Sequence, residues 1–254
     1  MIPLVVARNT FREATRDRLL AGIVVAGLLM LGGTQIIGTL ALGEGGRITV
    51  DLGLTSIAML GMFVVLLVGT SLVAKEIERR TIYNLLSRPI ARHEYLIGKW
   101  AGLTAALWVV CAILGVALWL VMAARGAQGF GPGLMQAVFL TALELSVVTS
   151  IAVLFSALST PVLSALYTLG FYLIGHWSYD LRSFAERAPH PLGMVLSGVA
   201  NVVPNLPLFN MRGLASGAHG TSLDHLMIAS LYAVTYCGCA LALATAAFES
   251  RDFK

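Results

Sequence analysis

Six long apolar runs constrain this chain more than any other feature. They lie near 19–42, 52–74, 100–124, 134–158, 162–179 and 226–247. Each has about the 17–25 residues that cross a hydrocarbon layer about 30 Å thick. Lipid offers no partner to a bare peptide group, so each run must be a helix. Composition agrees: 57% of the 254 residues are hydrophobic and 12% charged, about half the charge of a soluble domain. The expectation is an all-α integral membrane protein with six transmembrane helices in a single domain over 1–254. The first run is too long for a signal-peptide core and reads as a retained span.

The net charge of +4 is a matter of topology rather than of nucleic acid. With the N-terminus cytoplasmic, 12 of the 17 basic residues flank the cytoplasmic ends of the spans. Arg47, Arg125, Arg182, Arg187 and Arg212 fall on the other side. That asymmetry follows the positive-inside rule and returns the C-terminus to the cytoplasm. Anionic lipid headgroups suit the same charges.

Three segments lie between or before the spans. Residues 1–18 place Leu4, Ala7, Phe11 and Ala14 on one helical face and Arg8, Arg12 and Arg16 on another. This predicts an amphipathic helix in the headgroup region. The cytoplasmic segment 75–95 mixes charge with an apolar stripe of Ile82, Leu85 and Leu86, and Pro89 breaks it before the third span. It is a short helix near the membrane, open either to a soluble partner or to solvent. The outer segment 180–225 carries Pro189, Pro191, Pro204 and Pro207 around an apolar stretch, 192–209. One or two short re-entrant or interfacial helices fit it, as does a loop packed over the bundle.

Catalytic signatures are absent. The sequence has no GxxxxGK[ST] loop, no HExxH and no GxSxG. Cys111, Cys237 and Cys239 fit no disulfide framework and no four-ligand metal site. His93, His176, His190, His219 and His225 show no ligand spacing beyond a loose His219/His225 pair expected in the solvated outer loop. On the last span, Ala229, Ala233 and Cys237 recur every four residues, as do Gly238, Ala242 and Ala246; small residues at this spacing let helices approach. Glu144 is the most unusual residue, a carboxylate inside the fourth span. It must face protein or water. It is a candidate for an intramembrane pathway, or for a structural hydrogen bond to a neighbouring helix.

The segment after the second span carries an order of residues that resembles the ABC type-2 permease family, which includes the nitrous-oxide-reductase-maturation and gliding-motility permeases. The order is Glu76, Thr81, Leu85, Leu86, Pro89, Arg92, Gly98 and Lys99, with Arg80 where many members have glycine. The N-terminal helix is similar to the family's elbow helix. The run Asn205-Leu206-Pro207-Leu208-Phe209-Asn210 resembles an outer-loop pattern, and Phe248-Glu249-Ser250-Arg251-Asp252-Phe253 resembles the family's short C-terminus.

The resemblance implies a membrane subunit of an ABC exporter in a bacterial inner membrane, paired with a second permease as a homodimer or heterodimer. Two copies of an ABC ATPase would bind ATP and magnesium, and this chain would hold no cofactor. Glu76, Glu78, Arg79, Arg80, Thr81, Leu85, Leu86 and Pro89 would form the coupling helix seated in the ATPase. Thr160 and Pro161, in the turn 159–161, would make a second, smaller contact. Two rivals remain: a non-transporting subunit that relays ATPase motion to a periplasmic partner, and an intramembrane enzyme built on Glu144 with outer-loop histidines.

Overall fold

The computed structural model describes residues 2–40, 45–71, 91–124, 131–189, 191–211 and 220–249. All regular structure among them is helical. In chain order the helices are α1 (Ile2–Arg16), α2 (Arg18–Leu40), α3 (Gly45–Val64), α4 (Arg92–Ala124), α5 (Gly131–Leu158), α6 (Pro161–His176), α7 (Ser178–Arg187), α8 (Leu192–Val202) and α9 (Leu223–Glu249). A π-turn, Val65–Gly69, ends α3, and a 3-10 turn, Leu206–Phe209, precedes α9.

Five of these helices are long and apolar enough to span a membrane: α2, α3 with its π-turn, α4, α5 and α9. The fifth expected run is shorter than predicted. It gives the 16-residue α6, about 24 Å long at 1.5 Å per residue. Its helix stops at Trp177, and the chain restarts as α7. The second span begins earlier than its hydropathy implies, at Gly45, because a helix continues through Arg47 and Asp51 before the apolar stretch starts. Likewise α4 begins at Arg92 and runs without a break into the third span.

The central element is α5, whose side chains are almost all buried between Gly133 and Ala157. It packs against α3, α4, α6 and α9. Helix α9 meets it through Ala229, Ala233, Cys237 and Ala244, all buried. The second small-residue row, Gly238, Ala242 and Ala246, faces outward instead, and Gly238 has no neighbour near a notional Cβ. The two rows have the same spacing and lie on opposite sides of the helix, so spacing alone could not choose between them.

The N-terminal helix packs lengthwise on α4. Its inward face is Val6, Ala7, Thr10, Phe11 and Ala14, laid along α4. Leu4 points away and is 77% exposed, so it lies outside the packed face that its spacing suggested. The seat is Gly98 and Gly102, a GxxxG pair on α4. A Cβ on Gly98 would lie 2.7 Å from the Val6 Cβ and 2.9 Å from the Pro3 carbonyl oxygen; on Gly102 it would lie 2.7 Å from the Thr10 Cβ. The approach is therefore set by backbone, as in close-packed membrane helices. Lys99, between the two glycines, is buried with its Nζ 4.0 Å from Glu13 and over the Tyr95 ring.

Replacing Gly102 with valine should force α1 off α4. The expected loss is about 1–3 kcal/mol, the usual range for overpacking. Thermal unfolding in detergent checks it: the valine variant should melt at a lower temperature than the parent chain.

Candidate functional site

Glu144 sits at the middle of α5, 2% exposed. The sequence shows no obvious partner for it, but the fold supplies one. His176, the last residue of α6, brings Nε2 to 3.6 Å from Glu144 Oε1. This is an ion-pair distance, longer than a direct hydrogen bond. The His176 side chain is about a quarter exposed and that of Glu144 almost fully covered, so the pair is sealed on one side and ajar on the other. Tyr172, one turn earlier on α6, packs its ring 4.6 Å from the imidazole. Cys111 of α4 is buried within electrostatic reach of the carboxylate.

Local sequence explains the meeting. Ser159 and Thr160 end α5, and Pro161 opens α6 with a preset φ. The two helices then run antiparallel. Glu144 lies 14 residues before the end of α5 and His176 lies 15 after the start of α6, so they reach the same level. That count was available in the sequence, given a tight turn at 159–160.

Just beyond His176 the chain becomes a cap. Gly175 lies against Leu206 and the Pro204 carbonyl, with only about 3.0 Å for a Cβ. Ser178 donates to Asn205 Oδ1 at 3.1 Å, and the Asn205 N–H donates to the Tyr232 hydroxyl at 2.8 Å. Leu206 and Phe209 are buried in the common core. The Asn205–Asn210 run is thus a strap that ties α6, α7 and α9 together. His225, expected in solvent, opens α9, with Nε2 3.0 Å from the Leu208 carbonyl. Helices α7 and α8 pack on each other and border a cleft of about 570 Å³ with Arg182, Glu186, Ser197 and Asn201 in its lining. Within the stretch 192–209 the chain forms α8 and the 3-10 turn Leu206–Phe209.

The proposed ATPase contacts divide. Thr160 is exposed and extended, and Pro161 is half-buried at the first turn of α6. Glu76, Glu78, Arg79, Arg80, Thr81, Leu85, Leu86 and Pro89 lie outside the described residues. The chain on either side of them is described: Ser71 follows the π-turn, and Ala91 precedes α4. Ser156 bonds to Thr70, so the end of the second span and the 159–161 turn share one end of the bundle. Among the described residues no three histidine, cysteine or carboxylate side chains gather as a metal site.

The pattern of the ABC-2 family transporter proteins matches residues 4–185, from the N-terminal helix through most of α7. The chain belongs to the ABC-2 transporter family. It is a multi-pass membrane protein and a permease subunit of an ABC transporter, and the family pairs such subunits with an ABC ATPase. Subunits of this kind are generally not catalytic themselves. No curated protein matches the sequence.

The permease's buried pair makes a measurable claim. Separating the effects of Glu144→Gln and His176→Gln by a double-mutant cycle should give a coupling of about 0.5–3 kcal/mol. Thermal unfolding of the two single variants and the double variant in detergent reads it. A coupling near zero would mean that the two groups do not sense each other.

Proposed function

We propose that the permease subunit moves a substrate outward, driven by ATP hydrolysis in two bound ATPase subunits. The carrying observation is the family match over 4–185, which includes both cytoplasmic segments assigned to coupling. ATP and magnesium belong to the ATPase, and this chain needs no cofactor. The permease works as a dimer, with a like or unlike second subunit, in a bacterial inner membrane. Both termini are cytoplasmic, in keeping with the basic residues at those ends of the spans.

In this reading α6 completes a sixth span. Its 16 residues are extended by Trp177 and by the cap into the outer interface, where the exposed Trp177, Tyr179 and Phe184 suit an aromatic belt. The apolar side chains Met194, Val195 and Val202 on α8 suit the same layer. Glu144 and His176 lie on the substrate pathway. An intramembrane acid is costly to keep, about 2.5–3.5 kcal/mol on insertion scales, and it is retained here opposite an imidazole at the edge of the cap.

The residues Glu76, Glu78, Arg79, Arg80, Thr81, Leu85, Leu86 and Pro89 form the lever that the ATPase grips, with Thr160 and Pro161 as the lesser contact. Two arrangements of the bundle differ in how the ATPase pair docks, and nucleotide biases one over the other. A relay to a periplasmic partner without transport is the alternative, and the cleft between α7 and α8 is the feature that would serve it.

Charge reversal tests the lever. Glu76→Lys or Arg80→Glu should reduce co-purification of the ATPase and abolish coupled transport, while membrane insertion persists. Undiminished co-purification would remove these residues from the interface. In the pathway, Glu144→Gln should leave the assembled complex intact and cut turnover at least about fivefold, the lower end of a typical coupling energy. ATP-dependent transport in inverted vesicles is the measurement.

A further inference from the structure

The two cytoplasmic regions assigned to ATPase contact are joined at one point in the bundle, and that point sits on the helix that carries Glu144. The second span ends in a π-turn, Val65–Gly69, closed by a Thr70 N–H bond to the Val65 carbonyl at 3.2 Å. The wider turn carries one residue more than an α-helix would, a local unwinding found often at functional sites. It leaves carbonyls at a helix end in need of donors. The Thr70 hydroxyl donates back to the Leu66 carbonyl at 2.6 Å. The Thr70 carbonyl takes a 2.8 Å bond from the Ser156 hydroxyl of α5. Thr70 and Ser156 are both buried. Gly69 leaves room beside them for Leu103 of α4 and Ala152 of α5.

The next residue back on α5 faces the other way. The Phe155 carbonyl accepts a 2.7 Å bond from Ser164 of α6, and the Phe155 ring packs on Tyr167 and Phe171. Residues 155 and 156 are thereby tied to the second span on one side and to α6 on the other. The second span leads directly to the segment 75–91, and α6 begins at the turn 159–161. Glu144 is 12 residues up α5 from Ser156, about 18 Å at 1.5 Å per residue.

We infer that Ser156 is a positioning residue for transport: its bond to the Thr70 carbonyl passes displacement of the cytoplasmic lever, through the π-turn, into α5 and so to the Glu144–His176 pair. This rests on the lever reading proposed above. A π-turn can give up its extra residue to the neighbouring helix, which rotates and shifts the chain beyond it. The hydroxyl makes α5 follow that shift. Without it, the second span loses this grip on α5, and the lever moves with less of its displacement reaching the pathway.

The test uses the permease with its ATPase in proteoliposomes. An environment-sensitive fluorophore is placed on Trp177→Cys, at the exposed outer end of α6, in a chain with Cys111, Cys237 and Cys239 replaced by alanine. With Ser156 present, ATP should change the fluorescence. In Ser156→Ala that change should shrink about fivefold or more, with the ATPase still bound and still hydrolysing ATP at its former rate. Ser156→Thr, which keeps the hydroxyl, should restore it. An undiminished fluorescence change in Ser156→Ala would overturn the inference. So would loss of the inserted complex in that variant, which would make the bond a stabilising contact only. Failure of the ATPase to bind a chain with Ser156 intact would instead sink the lever reading, and the inference with it.

Discussion

A helix in hydrocarbon gains nothing from the hydrophobic effect by leaving lipid for protein. Burying α5 therefore needs close packing and satisfied polar groups. The sequence supplies both. Alanine and cysteine on α9, Gly61 and Gly69 on the second span and Gly115 on α4 let neighbours approach it closely. Serine and threonine along α5 return their hydroxyls to the helix itself, as Thr141, Ser146, Thr149 and Ser150 do. Ser146 also receives Trp108 from α4, and its carbonyl receives Trp100. The few polar groups of this apolar helix are thus satisfied by the helix itself and by its neighbours.

That seclusion is what gives Glu144 its chemical interest. A carboxylate on the lipid side of α2 would be untenable, whereas one on α5 can persist because α6 delivers an imidazole to the same level. The cap fixes that level. With Gly175 pressed on Leu206, and with Asn205 bonded to Ser178 and Tyr232, the end of α6 cannot shift without moving the strap. The acid site, the cap and the last span therefore form one mechanical unit at that end. At the opposite end α5 is held from two sides, by the second span through the Ser156–Thr70 bond and by α6 through the Ser164–Phe155 bond. The central helix connects the two ends.

The N-terminal helix belongs to the same economy of backbone contact. Its amphipathic pattern is equally consistent with floating in headgroups or lying on protein. The GxxxG pair on α4 shows that one face of the helix lies on protein. Through Gly98 and Gly102, α1 is seated on the first turns of α4.

Hydropathy alone determined that the chain is helical and membrane-embedded, because lipid leaves a backbone no alternative. It also located the long spans, though it missed the polar first turns from Gly45 and from Arg92, and singled out Glu144, since a charge in an apolar run is conspicuous without any structure. The order of residues from Glu76 to Lys99 named the family. Only tertiary structure decided which of two equal small-residue rows on α9 is packed, that Leu4 is left outside the seat of α1, that α6 stops at 16 residues, and that His176 faces Glu144. These depend on where a turn ends and on which backbone comes within reach. Periodicity along one helix carries no information about that, because every side of an apolar helix satisfies lipid equally well.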